Sequence, residues 1–340
     1  MRTINLKDIA ALVGVSTTAV SNVLNGAPIR IGDEKRNLIL QTAKKYHYRP
    51  NLLARSLKRR KAGVIGIVVP DMTTLFYPEL IRFLETELFR YGYQTLVCNS
   101  GDSALCEKKH LETLLSRFVD GLVISPAGNG ANAALIRSIA EQETPVACVD
   151  RYLPNEQIHY ITTDGRAAAA KAARLLREAG VRRLFYLGEY PRHQAVNDRL
   201  AGSNDVVKIP SRNVILCKPE RQKIRRHCVK ILRRLPPQAG FFLESNRFLP
   251  GLLDAATECG LKIPRDLPAI GFDPPALVLD GADDYSAMSA LSGPIPVIKQ
   301  NVKAMAENTA KWMRAKLSKS PAEFRPLLLK ADLIELIAKV

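Results

Sequence analysis

The chain has 340 residues, 46% hydrophobic and 24% charged, enough for two or three domains with cores of their own. It contains no apolar run of the roughly 18–20 residues that span a bilayer. Its first residues, "MRTINLKDIA", lack the apolar stretch of a secretory signal, so a cytoplasmic protein with no membrane partner is expected. The net charge of +17 is uneven. Residues 1–62 carry 13 Lys and Arg against 3 Asp and Glu, residues 63–181 carry 11 against 14, residues 182–234 carry 14 against 4, and residues 235–340 carry 12 of each. A compact basic segment at the N-terminus is the electrostatic footprint of a nucleic-acid-binding module. The second basic block reads most simply as a solvated basic face.

Six cysteines (Cys98, Cys106, Cys148, Cys217, Cys228 and Cys259) form no CxxC pair. They read as reduced, mostly buried thiols rather than as disulfides or metal ligands. The five histidines show no ligand spacing, and neither a metal nor a cofactor is expected.

"LKDIAALVGVSTTAVSNVLNG" predicts two short helices joined by a tight turn. Leu6, Ile9, Ala10 and Val13 mark one apolar face, Gly14 supplies the turn, and Val15 plugs the angle between the helices. Ser16 is placed to cap the second helix, with Val20, Val23 and Leu24 facing inward. A third helix is expected from an Asp33 cap to about His47, with Leu38, Ile39, Ala43 and Tyr46 inward. Together these make a helix-turn-helix unit over residues 1–49. Ser16, Thr17, Thr18 and Asn22 lie at the end of the second helix that meets DNA. There Thr can contact a thymine methyl or a base edge, and Asn can pair bidentately with adenine.

"YRPNLLARSLKRRKAG" follows. Pro50 suits the first turn of a helix running to about Lys58, too short to be stable alone in water. Leu57, with Ala54, Arg55 and Lys58 around it, is an apolar side chain among five basic residues. It can wedge between base steps in a minor groove; in a plain linker it would merely touch the next domain. Residues 50–62 are therefore read as a hinge helix and linker.

These segments, in this order and spacing, resemble the headpiece and hinge helix of the lac repressor family of bacterial transcription regulators. The resemblance implies that Thr17, Thr18 and Asn22 read the major groove. It also implies that Leu57 intercalates at the centre of a palindromic operator, with Ala54 and Lys58 lining the minor groove.

From Val64 the pattern alternates between strands and helices. "VIGIVVP", "YQTLVCN", "DGLVISP", "PVACVD" and "YITTD" read as strands, with helices in "YPELIRFLETELFRYG" and "CEKKHLETLLSRF". A second set follows, with strands in "VRRLFYLGE", "AGFFLES" and "LPAIGFD" and helices in "AAAAKAARLLREAG", "KIRRHCVKILRRL" and "FLPGLLDAATECG". Two successive sets predict an α/β core of two parallel-sheet lobes over residues 63–340. The N-lobe is expected at about 63–163 and 300–325, and the C-lobe at about 164–299 and 326–340. Ligands of such sheets bind beyond the carboxyl ends of the strands. Those ends offer Asp71, Asp150, Arg151, Ser245, Asn246 and Asp273, to which Arg199 and Gln300 are added.

The same family resemblance extends over this region and implies a core of periplasmic sugar-binding type. By motif position, Phe76 and Tyr77 match a first ligand loop and Asp150-Arg151 the next. Arg199 matches an effector clamp, Asn246 a polar contact, Asp273 the carboxylate of "GFD", and Gln300 the glutamine after the last crossover. The "VDR" ending and the short 200–215 region look most like the fructose and sucrose repressor branch. "ESNRF" stands where the family usually has Asn-Asp, and "RLAGSNDVVKIPSRN" is shorter and more polar than the usual long helix.

The expected function is a homodimeric, sequence-specific DNA-binding repressor controlled by a sugar or sugar phosphate in the inter-lobe cleft. Two guanidiniums, Arg151 and Arg199, facing one ligand from opposite lobes favour a phosphorylated hexose over a neutral sugar. No GxGxxG, GxxxxGK[ST] or GxSxG motif supports an enzyme. An effector-independent architectural DNA-binding protein and a sugar-binding protein are the alternatives. "KADLIELIAKV" lacks the sustained heptads of a tetramerising helix, so a dimer is expected.

Overall fold

The computed structural model describes residues 4–24, 26–48, 62–274, 289–320 and 326–336. The chain divides into two units, Met1–Ala62 and Gly63–Val340. The hinge, with Ala54, Arg55, Leu57 and Lys58, lies outside the described residues.

The first unit holds three helices, α1 (Leu6–Val13), α2 (Thr17–Leu24) and α3 (Asp33–Lys45). Asn5 starts α1 with a reciprocal cap. Its side chain accepts from the Lys7 and Asp8 amides at 2.8 and 3.1 Å, and the Asp8 carboxylate accepts from the Asn5 amide at 2.8 Å. Gly14 ends the helix at φ 69°, a conformation open to glycine at little cost. Ile9, Ala10, Val13, Val20, Val23, Ile39 and Ala43 form the core, with Val15 packed against it as the sequence suggested.

The inward face expected for α3 is only half right. Ile39 and Ala43 are buried, whereas Leu38 and Tyr46 are 45% and 46% exposed. Ile29, Ile31 and Tyr48, from the flanking segments, pack on the core in their place. Asp33 is the first residue of α3 rather than its cap, which falls on Gly32 without a side-chain bond, and the helix stops at Lys45.

The second unit contains two six-stranded sheets. The first is built from β1 (Val64–Val69), β2 (Gln94–Asn99), β3 (Gly121–Ile124), β4 (Val146–Val149), β5 (His159–Thr163) and β11 (Leu327–Leu329). The second is built from β6 (Arg183–Glu189), β7 (Val214–Cys217), β8 (Ala239–Leu243), β9 (Ala269–Phe272), β10 (Ile295–Lys299) and β12 (Asp332–Leu336). The strand orders are β11-β5-β4-β3-β1-β2 and β12-β10-β9-β8-β6-β7, so one plan is used twice. Every pairing is parallel except that of β12 with β10.

Helices α4 (Phe76–Arg90), α5 (Ala104–Ser116), α6 (Ala133–Glu141) and α11 (Val302–Leu317) belong to the first lobe. Helices α7 (Gly165–Glu178), α8 (Gln194–Val206), α9 (Arg221–Leu232) and α10 (Leu249–Glu258) belong to the second. Central strands are apolar on both faces because helices cover both. Ile65, Ile67 and Val69 of β1 join one core cluster, while Val68 joins the cluster on the opposite face.

Three differences from the expected pattern follow from packing. The polar "NDRLAGSNDV" segment is helical, with Ala195, Val196, Arg199, Gly202 and Ser203 on the buried side of α8. Helices α6 and α11 and strands β7, β10, β11 and β12 escaped the sequence reading. The chain passes between lobes after β5, after β10 and between β11 and β12. The third passage falls at Lys330-Ala331, a few residues past the expected 325, because Leu327–Leu329 still pairs with β5 of the first sheet.

Candidate functional site

In the first unit the start of α2 presents a polar surface. Thr17 and Thr18 are exposed and Asn22 is partly so, while Val20 and Val23 anchor the other side of the helix. Thr18 and Asn22 are four residues apart and share a face. The Ser16 hydroxyl accepts from the Ala19 amide at 3.1 Å, so its oxygen caps α2.

In the second unit the carboxyl ends of the two sheets line one cavity of about 260 Å³. Phe76, Tyr77, Asp150, Arg151, Arg199, Asn246, Asp273 and Gln300 all line it. Phe76 and Tyr77 begin α4, their rings meeting edge-on at 5.0 Å. Asp150 and Asp273 follow β4 and β9, Asn246 follows β8, and Gln300 lies in the second passage between lobes. Asn246 fits because residue 271 is glycine: a Cβ there would stand 2.2 Å from the Asn246 Oδ1.

Much of this polar lining is already engaged. The Tyr77 hydroxyl donates to Asp150 at 2.7 Å and lies 3.0 Å from the Ser125 hydroxyl, and burial, then Asp150, push its pKa well above the ordinary value. Gln300 donates to Asp273 at 2.8 Å and accepts from the Thr163 hydroxyl at 2.6 Å. Burial raises the Asp273 carboxyl to about 6, against the pull of Arg199 and Gln300, with Asp150 adding to the rise.

Both arginines expected to face an anion are paired with carboxylates. Arg151 donates to Asp102 at 2.5 Å and to Glu189 at 3.3 Å. Arg199 donates to the Glu244 carboxylate at 3.0 Å and to its carbonyl at 2.8 Å, and stacks 3.9 Å over the Phe272 ring. Arg247 joins them, bridging Asp71 and Glu189 at 3.2 Å each. Burial alone would raise the Glu189 carboxyl. His193, Arg151 and Arg247 overcome it and hold the group at about 2. The cavity-lining residues include four carboxylates, Asp150, Glu189, Glu244 and Asp273, against the guanidiniums of Arg151, Arg199 and Arg247. Both guanidiniums expected to face an anion thus have carboxylate partners of their own, in addition to the nearby Asp150 and Asp273.

Glu189, His193, Glu244 and Arg247 were missed from the sequence. Glu189 ends the strand "VRRLFYLGE" and Glu244 follows β8, so the strand-end rule applied to every strand would have found both. His193, at the N-cap of α8, and Arg247, in a 3-10 turn after β8, carry no such signal.

Four polar atoms in this cavity are buried without a hydrogen-bond partner among the described residues: Thr74 Oγ1, His193 Nδ1, Arg199 Nε and Asn246 Nδ2. Leaving such a group unsatisfied costs about 1–3 kcal/mol, and a hydroxylated ligand can satisfy it. The cavity is lined by donors and acceptors alike, which suits hydroxyl groups that both give and accept.

Comparison with known proteins places both units. The profile "Bacterial regulatory proteins, lacI family" matches residues 5–51, and "Periplasmic binding proteins and sugar binding domain of LacI family" matches residues 62–240. A "Periplasmic binding protein-like domain" profile matches residues 173–335. A ribose operon repressor of Halalkalibacterium halodurans is 30% identical, over 79% of this chain and 80% of its own length. A sucrose operon repressor of Streptococcus mutans is 32% identical, over 79% of this chain and 82% of its own. The structure of the lac repressor dimer bound to operator and the anti-inducer ONPF superposes with a TM-score of 0.79 at 18% identity, covering 98% of each chain.

Proposed function

The chain belongs to the lacI family of bacterial regulatory proteins, and from that premise we propose a dimeric repressor whose hold on its operator is set by a neutral sugar between the lobes. It is a DNA-binding transcription regulator, with α2 as the reading helix, Thr17, Thr18 and Asn22 as its base contacts and Leu57 as the minor-groove wedge. The reading places the protein in the cytoplasm and assigns it no catalytic step.

One observation carries the ligand class. The cavity has four buried polar atoms without partners, yet its guanidiniums already have carboxylates. A polyol satisfies the first condition without disturbing the second. A phosphate dianion would have to compete with Glu189 and Glu244 for Arg151 and Arg199. It would also sit beside Asp150 and Asp273, at the cost of like-charge repulsion. A sugar bonded to Thr74 and Asp150 on one lobe and to Arg199, Asn246 and Asp273 on the other draws the lobes together. In a dimer that motion shifts where each N-lobe begins, and a hinge helix marginal on its own responds to such a change.

The test is a thermal-shift and operator-release titration with neutral pentoses, hexoses and disaccharides beside their phosphates. A neutral sugar at 100 times its Kd should add about 2.7 kcal/mol to the stability of the core. A response confined to sugar phosphates would overturn the neutral-ligand reading.

A further inference from the structure

The basic block at residues 182–234 lies largely outside the cleft. Its densest part is α9, whose outward surface carries Lys223, Arg226, His227, Lys230 and Arg234, all exposed. Arg226 and Lys230 lie one turn apart on a single face of the helix, and Arg234 follows two residues past its end. None of the three is within ion-pairing distance of a carboxylate among the described residues, whereas neighbouring Arg221, Arg225 and Arg233 pair with Asp254 and Glu258 of α10.

The helix gains little from this arrangement. Its first turn holds Arg221 and Lys223, the unfavourable sign for the positive end of the helix dipole, offset in part by Glu220 at the N-cap. Like charges four residues apart cost a few tenths of a kcal/mol per pair. The His227 imidazole is held below its ordinary pKa by partial burial, and then by Lys230 and Arg226 beside it. Lys223 is paired with Glu220 at 2.9 Å, which leaves Arg226, Lys230 and Arg234 as the cations of this surface without a carboxylate partner among the described residues.

We propose that the outer face of α9 is a second nucleic-acid surface, one that takes the phosphate backbone of duplex DNA without reading its sequence. From Lys223 to its end at Leu232 the helix spans roughly 14 Å at 1.5 Å per residue, with Arg234 beyond it. DNA presents one phosphate charge per about 1.7 Å of its axis, so several phosphates fall within that reach. A protein partner fits less well. Protein interfaces are anchored by apolar and aromatic side chains, and no large exposed apolar side chain lies between Tyr190 and Leu328 among the described residues. A regulator held at an operator through its first unit would thereby hold a second DNA segment through its core.

The experiment uses the full chain saturated with a short duplex selected from a random pool for tight binding, and then adds a labelled duplex of unrelated sequence. The wild type is expected to capture the second duplex at low salt while keeping the first. The affinity should fall with salt at a log–log slope near −3, about 0.9 per phosphate neutralised. The variant Arg226→Gln/Lys230→Gln/Arg234→Gln should lose this capture at least tenfold and bind the selected duplex as before. Three results overturn the proposal: no second capture by the wild type, equal capture by the variant, or preference for polyglutamate over the duplex. The last would assign the face to an acidic polypeptide.

Discussion

Asp150 and Asp273 occupy the same place in the two halves of the core. Each is the first residue beyond a central strand, β4 or β9, and each has a left-handed backbone, at φ 64° and 61°. Each donates its amide to the neighbouring strand, to Ile161 at 3.0 Å and to Ile298 at 2.8 Å. Aspartate is among the few residues other than glycine that adopt this conformation readily. The repeat of one sheet plan thus delivers two carboxyls to a single cavity.

The raised Asp273 carboxyl makes stability depend on pH. Its folded value, about 6, lies above the ordinary 3.8, so its stabilising contribution is present below about pH 4 and is lost as pH rises through 6. Two units correspond to on the order of 3 kcal/mol. Asp273→Asn should therefore unfold like the wild type near pH 4 and be more stable at pH 7, with the difference opening between those values. Urea melts across that range check it; a constant offset would mean that Asp273 is ionised throughout.

Arg199 joins stability to ligand response. Arg199→Ala leaves Glu244 buried and unpaired, for which the core should lose about 3–5 kcal/mol. The double change Arg199→Ala/Glu244→Gln should recover part of that stability and none of the response to sugar. Recovery of the sugar response in the double variant would show that Arg199 only offsets Glu244.

A charge chain crosses the cleft in the order Asp71, Arg247, Glu189, Arg151, Asp102. Asp71, Asp102 and Arg151 belong to the first lobe and Glu189 and Arg247 to the second. Arg247→Ala should loosen the ligand-free core by about 1 kcal/mol, discounted for partial exposure. In solution scattering, its radius of gyration should exceed that of the wild type and fall back when sugar is added. Identical radii with and without the substitution would exclude Arg247 as a latch.

On the DNA side, Asn22→Ala should change discrimination at one base position by about 1–3 kcal/mol, read by selection from random duplexes. If the same sequence is recovered, Asn22 does not read bases.

Leu57→Ala should weaken specific binding far more than binding to random DNA, because a wedge depends on how readily a particular base step deforms. Equal losses on both would leave Leu57 as a linker residue.

Local chemistry made much of this protein legible in its sequence. Gly14 and Ser16 mark a turn and a cap whose partners lie within a few residues, and the apolar runs from Val64 onward mark strands of the two sheets. The ends of those strands pointed to Asp150, Arg151, Asn246 and Asp273, while Phe76, Tyr77, Arg199 and Gln300 came with the family resemblance or were added to them. The sequence was silent where an outcome depended on distant neighbours. Leu38 and Tyr46 follow the apolar period of α3, but Ile29, Ile31 and Tyr48 reach the core instead. Arg151 and Arg199 look like anion-binding residues until Asp102, Glu189 and Glu244, 38 to 49 positions away, are placed beside them. Caps and apolar periods are set by neighbours along the chain, whereas charge compensation falls off with distance in space. Only the tertiary structure could therefore show that both guanidiniums have carboxylate partners of their own.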